Sequence, residues 1–367
     1  MSSFSVFLQN WEKFNFEDFL KSRTENDVVK VLNKDSISNI DFLTLLSPIS
    51  DNYLEEMAKK SSEITIREFG RTIQIYTPLY ISNYCVNRCV YCGFNRDNKI
   101  IRSKLPIEDA IEESKLINKI GIRHILLLTG GDRKNSSLDY IKSVIKAIKP
   151  YFDSISIEMY AMTESEYQEL IHLGVDNITI YQETYSKELY SKYHLAGEKK
   201  DYNFRLEAPE RAAKAGVNSV NFGALLGLDK PIVDFFKASI HSHYIMNKYP
   251  GCNVGISLPR IRDAIGNFKV TEPLDDKLFC KMIMAYRIFN NKGTISISTR
   301  ESESFRNNLI PLGVNKMSAE SKTTVGGHIH NHSEPQFEIS DKRTVKELET
   351  YLVKKGYQPV YKDWVIV

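Results

Sequence analysis

Two periods alternate along most of this 367-residue chain. From residue 72 onward, short runs of β-branched and apolar residues recur, each followed by a window whose apolar positions fall three or four apart. The runs TIQIYTPLYI (72–81), HILLLT (124–129), SISIEMY (154–160), NITIYQ (177–182), VNSVNFGA (217–224), NVGISL (253–258), TISIST (294–299) and VNKMSA (314–319) read as strands. The windows between them carry helix signals. PIEDAIEESKLINKIG opens on Pro106, has acids in its first turn and stops at Gly121. In TESEYQELIHLG, Thr163 and Glu166 have the spacing of a capping box, and Gly174 closes the segment. APERAAKAG ends at Gly216, and EPLDDKLFCKMIMAYRIF forms a long amphipathic helix. Strands alternating with helices predict a parallel sheet, and eight such units over roughly 245 residues match an α/β fold of the (β/α)8 TIM type. An open doubly wound sheet is the alternative.

The flanks differ from this core. Residues 1–71 show polar-amphipathic helical windows and predict an N-terminal helical segment. The barrel occupies 72–319. Residues 320–367 contain a helix in DKRTVKELETYLVKKG and a final strand in YQPVYKDWVIV, a C-terminal extension packed on the barrel.

Composition acts mainly by exclusion. Forty-nine basic against 46 acidic residues leave a net charge of +3, too balanced to predict nucleic acid or an anionic membrane as partner. MSSFSVFLQNWEKFNFEDF lacks the basic and apolar regions of a signal peptide, and no run approaches the roughly 18 apolar residues of a membrane span. Five cysteines, three of them clustered, do not make a secreted disulfide framework, so the expected compartment is a reducing cytoplasm.

In a barrel of this kind, chemistry gathers where the strands end. Those ends read Thr129-Gly130-Gly131-Asp132, Glu158 with Tyr160, Tyr181-Gln182-Glu183, Gly223, Pro259-Arg260, Thr299-Arg300-Glu301, and Ser318 followed by Glu320, Ser321 and Lys322. The first strand runs into SNYCVNRCVYCGFNRDN, where Cys85, Cys89 and Cys92 are spaced C-x3-C-x2-C. Thiolates suit zinc or iron–sulfur clusters. A closed zinc site or a ferredoxin-type cluster takes four protein ligands. No histidine lies between 72 and 123, and Cys252 and Cys280 are far away in sequence. Three thiolates on a [4Fe–4S] cluster leave one iron open to another ligand. Zinc with a distant fourth ligand, in a non-enzymatic scaffold, is the competing reading.

The triad, with Tyr91 before its last cysteine, resembles the motif of the radical S-adenosylmethionine (SAM) superfamily. YTPLYISNYCVNRCVYCGF, LLLTGG, YQETY, SISTRES, SAESKTTVGG and YQPVYKDW together resemble the superfamily's aromatic amino acid lyases, in particular the 2-iminoacetate synthase family of thiamine biosynthesis. The resemblance runs from about residue 10 to the C-terminus. It implies a radical SAM barrel and a [4Fe–4S] cluster on Cys85, Cys89 and Cys92, with SAM on the fourth iron. It also implies cofactor contacts from Tyr91, Thr129, Gly130, Gly131, Glu158 and Arg205, the arginine pairing with the SAM carboxylate. Asp132 stands where the superfamily's turn usually has glutamate. Arg300 would bind the substrate carboxylate, helped by Ser318 or Ser321, and Tyr80 would line the ring pocket; an Arg300–Glu301 rim salt bridge is the bland alternative. The implied reaction splits the Cα–Cβ bond of L-tyrosine into 2-iminoacetate and p-cresol, with SAM giving methionine and 5′-deoxyadenosine. An electron donor and a thiazole synthase are the implied partners, and tryptophan is the rival substrate. The related hydrogenase-maturation lyase carries further C-terminal cysteines, whereas here none follows Cys280. His328, His330 and His332 alternate in GGHIHNHSE, where a flexible rim loop is the expectation and a metal site the alternative.

Overall fold

The computed structural model describes residues 3–361 except 267, 271, 331 and 332. The alternating pattern resolves into β1 (Thr72–Ser82), β2 (His124–Thr129), β3 (Ser154–Glu158), β4 (Val175–Glu183), β5 (Ser219–Ala224), β6 (Asn253–Ser257), β7 (Thr294–Ile297) and β8 (Lys316–Ser318). Each pairs in parallel with the next, and β1 pairs with both β2 and β8, which closes a (β/α)8 barrel. Closure removes every free strand edge from the ring. A short β9 (Gln358–Val360) runs parallel to the start of β1, Thr72 facing Gln358. Lys362, Asp363 and Trp364 of the expected final strand lie outside the described residues.

Five helices precede the barrel: α1 (Phe4–Gln9), α2 (Phe16–Lys21), α3 (Glu25–Leu32), α4 (Asn39–Leu45) and α5 (Leu54–Phe69). The connections carry α6 (Ile107–Lys119), α7 (Leu138–Ile148), α8 (Glu164–His172), α9 (Lys187–Tyr193), α10 (Tyr202–Leu206), α11 (Ala208–Lys214), α12 (Pro231–Lys248), α13 (Asp276–Phe289) and α14 (Glu303–Leu309). After β8 come α15 (Val345–Lys354) and β9. Thr163 and Glu166 form the expected capping box at α8. The N-terminal helices bury aromatic rings on the outer helices: Phe42 of α4 stacks 4.5 Å from Phe289 of α13, and Trp11 meets Phe236 of α12 edge-on. The Lys281 ammonium of α13 donates to the Ser47 carbonyl (3.0 Å) and pairs with Asp51 (2.6 Å), fixing the loop between α4 and α5.

Several strands stop sooner than their apolar runs. β7 ends at Ile297 because the next ladder position is taken by a side chain: Thr299 N–H donates to Ser318 Oγ (3.1 Å). β3 ends at Glu158, and Tyr160 turns away to donate its hydroxyl to the Ser136 carbonyl (2.9 Å). β8 is shortened at its start, where the Asn315 carboxamide oxygen accepts Ile295 N–H (2.8 Å) in place of a backbone carbonyl.

A buried ion pair ties the chain after β8 back to the barrel. Arg306 of α14 pairs with Asp341 and donates to the Ser318 carbonyl, and Arg343 holds the same carboxylate at 2.6 Å. Breaking such a pair strands a buried charge, so the anchorage is strong. Ser321, Thr323, Gln336 and Phe337, which lie between these anchors, line the cavity on the side where the strands end.

Candidate active site

The cysteine loop leaves β1 at Ser82 and is held from both sides. Asn83 accepts Ser103 N–H (2.7 Å) and donates to the Ile101 carbonyl (2.7 Å), which turns the chain. Val86 N–H then bonds the Gly131 carbonyl (3.0 Å), while Arg88 and Val90 N–H bond the carbonyls of Ala196 and Tyr193, each within 3.1 Å. Gly130 and Gly131 are needed here for space. A Cβ on Gly130 would overlap the Tyr84 carbonyl, and one on Gly131 would overlap the Asn87 amide. This close approach brings Gly131 N–H (3.4 Å) and Asn87 Nδ2 (3.5 Å) to Cys85 Sγ. Local packing alone therefore requires both glycines. The Asp132 carboxylate accepts N–H bonds from Lys134 and Asn135, so it shapes the turn after β2.

Cys85, Cys89 and Cys92 line one cavity at the barrel mouth, whereas Cys252 precedes β6 and Cys280 lies on α13. Burial pushes the Cys89 thiol up to about 12 and raises Cys92 as well, so bound cations are what would hold them as thiolates at neutral pH. Among the described residues no three His, Cys, Asp or Glu side chains converge on a single metal position. Three thiols around one cavity fit a cluster, in which each thiolate binds a different iron.

Beside the triad lies a group of charges that are already paired. Glu183 has φ +70, at a register break between β4 and β5, and its carboxylate points into the cavity. A left-handed glutamate costs on the order of 1 kcal/mol, and such strain gathers at functional sites. Lys199 pairs with Glu183 at 2.5 Å; Arg205 lies 3.8 Å from the same oxygen and donates Nε to the Tyr181 carbonyl (2.7 Å). The third guanidinium nitrogen, Nη1, has no partner among the described residues. The Tyr91 hydroxyl bonds His194 Nε2 (2.7 Å), which holds that ring at the cavity wall; burial pushes His194 down to about 2, so it is neutral.

Across the cavity, Arg300 forms no contact ion pair among the described residues, although Glu158 and Glu183 act on it through space; its guanidinium stacks on Phe337 at 3.4 Å and donates to the Arg260 carbonyl (3.5 Å). The neighbouring Glu301 pairs with Arg260 and Arg262 instead, so the expected alternative of an Arg300–Glu301 bridge is not formed. Ser321 Oγ and Thr129 Oγ1 are buried and lack partners, and Ser318 Oγ accepts Thr299 N–H. Orphaned buried hydroxyls at a cavity wall are the expected mark of a ligand site. Glu158 stands between the two charge groups without a hydrogen bond among the described residues. Burial raises it to about 7, with Glu183 adding to the rise and Arg300, Lys199 and Arg205 opposing it. Tyr80, Phe94, Leu126 and Leu128 form an apolar cluster of their own, separate from the main core, with Tyr76, Cys85 and Cys92 against it. That wall is suited to an aromatic ring beside the triad.

The residues to which the resemblance gives a cluster, cofactor or substrate role all line this one cavity: the three cysteines, Tyr80, Tyr91, Thr129, Gly130, Gly131, Glu158, Arg205, Arg300, Ser318 and Ser321. Of the other strand-end residues, Asp132, Gln182, Gly223, Arg260, Glu320 and Lys322 are not part of its lining. Sequence reasoning missed the roles of Glu183, Lys199, Gln336 and Phe337. Glu183 was visible only as a strand end; Lys199 sits in the charge-rich GEKKD, which reads as solvated surface. The histidine segment is also better anchored than a flexible loop. The N–H groups of His328, Ile329 and His330 all donate to Glu113, a fully buried carboxylate of α6, at 3.1 Å or less. His330 pairs with Glu112 at 3.2 Å, and His332 lies outside the described residues.

A closed parallel barrel with a three-cysteine loop after its first strand defines a radical SAM barrel enzyme. The Radical SAM superfamily model matches residues 79–237, and the Biotin and Thiamin Synthesis associated domain matches 257–358. The chain is 37% identical to 2-iminoacetate synthase of Escherichia coli (strain K12), over 98% of this chain and 97% of that protein. It is 27% identical to 3-methylornithine synthase of Methanosarcina acetivorans over 57% of this chain and 59% of that protein. A crystal structure of HydG, a maturase of the [FeFe]-hydrogenase, superimposes with a TM-score of 0.89 at 32% identity, covering 94% of this chain and 79% of that one. The chain belongs to the 2-iminoacetate synthase family, whose superfamily membership implies a [4Fe–4S] cluster and SAM.

Proposed function

We infer that this protein is a radical SAM lyase that cleaves the Cα–Cβ bond of L-tyrosine, giving 2-iminoacetate and p-cresol and supplying the thiazole of thiamine. The observation that carries the substrate assignment is the half-buried Arg300, which lines the same cavity as the cysteine triad without a contact ion pair among the described residues, together with an apolar wall that fits a ring. Full-length similarity to 2-iminoacetate synthase supports the reaction.

In this reading Cys85, Cys89 and Cys92 hold the cluster, and Tyr91, Thr129, Gly130, Gly131, Glu158 and Arg205 surround SAM. When bound and given one electron by the donor, cluster and SAM would supply the 5′-deoxyadenosyl radical needed to take a hydrogen atom from the substrate, with methionine released. The chain's own work is placement and seclusion. Arg300 offers a planar pair of N–H donors to the tyrosine carboxylate, a match lysine cannot make. The Ser321 and Ser318 hydroxyls complete that grip, which aims the amine toward the triad. Tyr80, Phe94, Leu126 and Leu128 take the ring. Gln336 and Phe337, part of the 320–367 extension, line the cavity, so in this reading the extension acts as part of the 72–319 barrel's site while 1–71 braces its outer helices.

The clustered thiols argue for the cytoplasm; among the described residues no helix is long and apolar enough to cross a membrane. An imine that hydrolyses in water calls for a nearby consumer, and a thiazole synthase is the partner proposed. An electron donor is also required. Incubation of the reduced, iron-loaded protein with SAM and either L-tyrosine or L-tryptophan tests the reading. p-Cresol and 5′-deoxyadenosine from tyrosine are expected; 5′-deoxyadenosine without p-cresol would retire the substrate assignment while leaving the superfamily chemistry standing.

A further inference from the structure

Gln336 lies outside every strand and helix, yet it reaches the cysteine triad. Its Nε2 is 3.7 Å from Cys92 Sγ, and its Oε1 accepts the Tyr80 hydroxyl at 2.7 Å. The amide orientation has a chemical reason. A thiolate only accepts hydrogen bonds, so the N–H side must face sulfur, and Tyr80 can then donate to the oxygen. The backbone is fixed on both sides of this contact. Gln336 N–H bonds the Thr323 carbonyl (3.0 Å), and Thr323 Oγ1 donates to the Phe337 carbonyl (3.0 Å). The Gln336 carbonyl packs so closely on Gly93 that a Cβ there would overlap it. Gly93 directly follows Cys92, so the dipeptide is locked onto the cysteine loop, and its second residue, Phe337, lies under Arg300.

Resting on the assignment of Cys85, Cys89 and Cys92 as cluster ligands, we propose that Gln336 is a positioning residue that raises the cluster's reduction potential through an N–H···S bond to Cys92, with Tyr80 orienting the amide. One-electron reduction adds negative charge to the cluster and its sulfurs. A donor at a ligand sulfur stabilises the reduced form more than the oxidised one. Cys85 is served by a different set, Gly131 N–H and Asn87, both belonging to the barrel proper. Cys92 accepts from Phe94 N–H within its own loop, but its side-chain donor comes from the segment that also carries Phe337, so electron acceptance and the Arg300 pocket share one strap.

The test is an EPR-monitored redox titration of iron-loaded wild type, Gln336→Leu, Gln336→Glu and Tyr80→Phe, after iron and sulfide content has been measured. Gln336→Leu is expected to shift the midpoint to more negative potential. Gln336→Glu keeps the shape but replaces the donor with an anion and should shift it further. Tyr80→Phe, which only frees the amide to rotate, should move it less in the same direction. A wild-type protein holding no four-iron cluster would defeat the site assignment itself. A loaded Gln336→Leu or Gln336→Glu with an unmoved midpoint would defeat the role given to Gln336, and an unmoved Tyr80→Phe would defeat the orienting role given to Tyr80.

Discussion

The two sides of the cavity differ in how their charges are satisfied before any ligand arrives. Beside the cysteines, Lys199 and Arg205 already share Glu183. On the far side, Arg300 rests on the face of Phe337 with no carboxylate partner among the described residues. A half-buried cation without a contact ion pair is one that a ligand carboxylate can still satisfy. In the proposed reading the paired group is scaffold on the cofactor side, and Arg300 is the binding group for the substrate. Removing members of each should therefore separate stability from activity.

The largest effect is expected at Arg300. Arg300→Gln should lower kcat/KM for L-tyrosine by about 100-fold, the order of a lost charge-assisted bidentate contact. Its melting temperature without substrate should change little, because the half-buried guanidinium makes no contact ion pair among the described residues. A marked fall in stability would put Arg300 with the scaffold and erase the contrast.

Glu183→Gln should do the reverse. It leaves Lys199 and Arg205 without their anion, and the loss of one partner in a buried pair costs roughly 3 kcal/mol. Thermal unfolding of the protein without SAM measures it; an unchanged melting temperature would mean that the paired side is no scaffold.

Glu158 sharpens the picture because it feels both sides. Its ordinary pKa of 4.5 is raised to about 7, first by burial and then by Glu183, against Arg300, Lys199 and Arg205. The folded state therefore holds this proton more tightly than the unfolded chain. The stability linked to it is full below about pH 4.5 and is lost as pH rises through 7. Glu158→Gln should melt with wild type near pH 4.5 and above it at pH 8 and beyond. Parallel melting curves across that range would remove Glu158 from between the two charge groups.

How much of this was legible in the sequence follows the range of the interactions. Each barrel strand announced itself through a local apolar run, and the cysteine spacing and the Thr299-Arg300-Glu301 strand end are equally local. Where a strand stops was harder to read. β7 ends early because Ser318 intercepts Thr299 N–H, a contact 19 residues along the chain. Glu183 needed a register break and a left-handed backbone to face the cavity, and neither has a mark in YQETY. Gln336 meets Cys92 across 244 residues, from a stretch without regular structure. Periodicity cannot report a contact of that kind.

The central claim is that Arg300 is the unpaired charge reserved for the substrate carboxylate. Its most direct test compares L-tyrosine with tyramine, which keeps the amine and the phenol but lacks the carboxylate, as ligands of SAM-loaded wild type and Arg300→Gln under anaerobic conditions. Wild type should bind tyrosine about 100-fold more tightly than tyramine, and Arg300→Gln should bind the two nearly alike. An Arg300→Gln protein that still discriminates between them as wild type does would contradict the account.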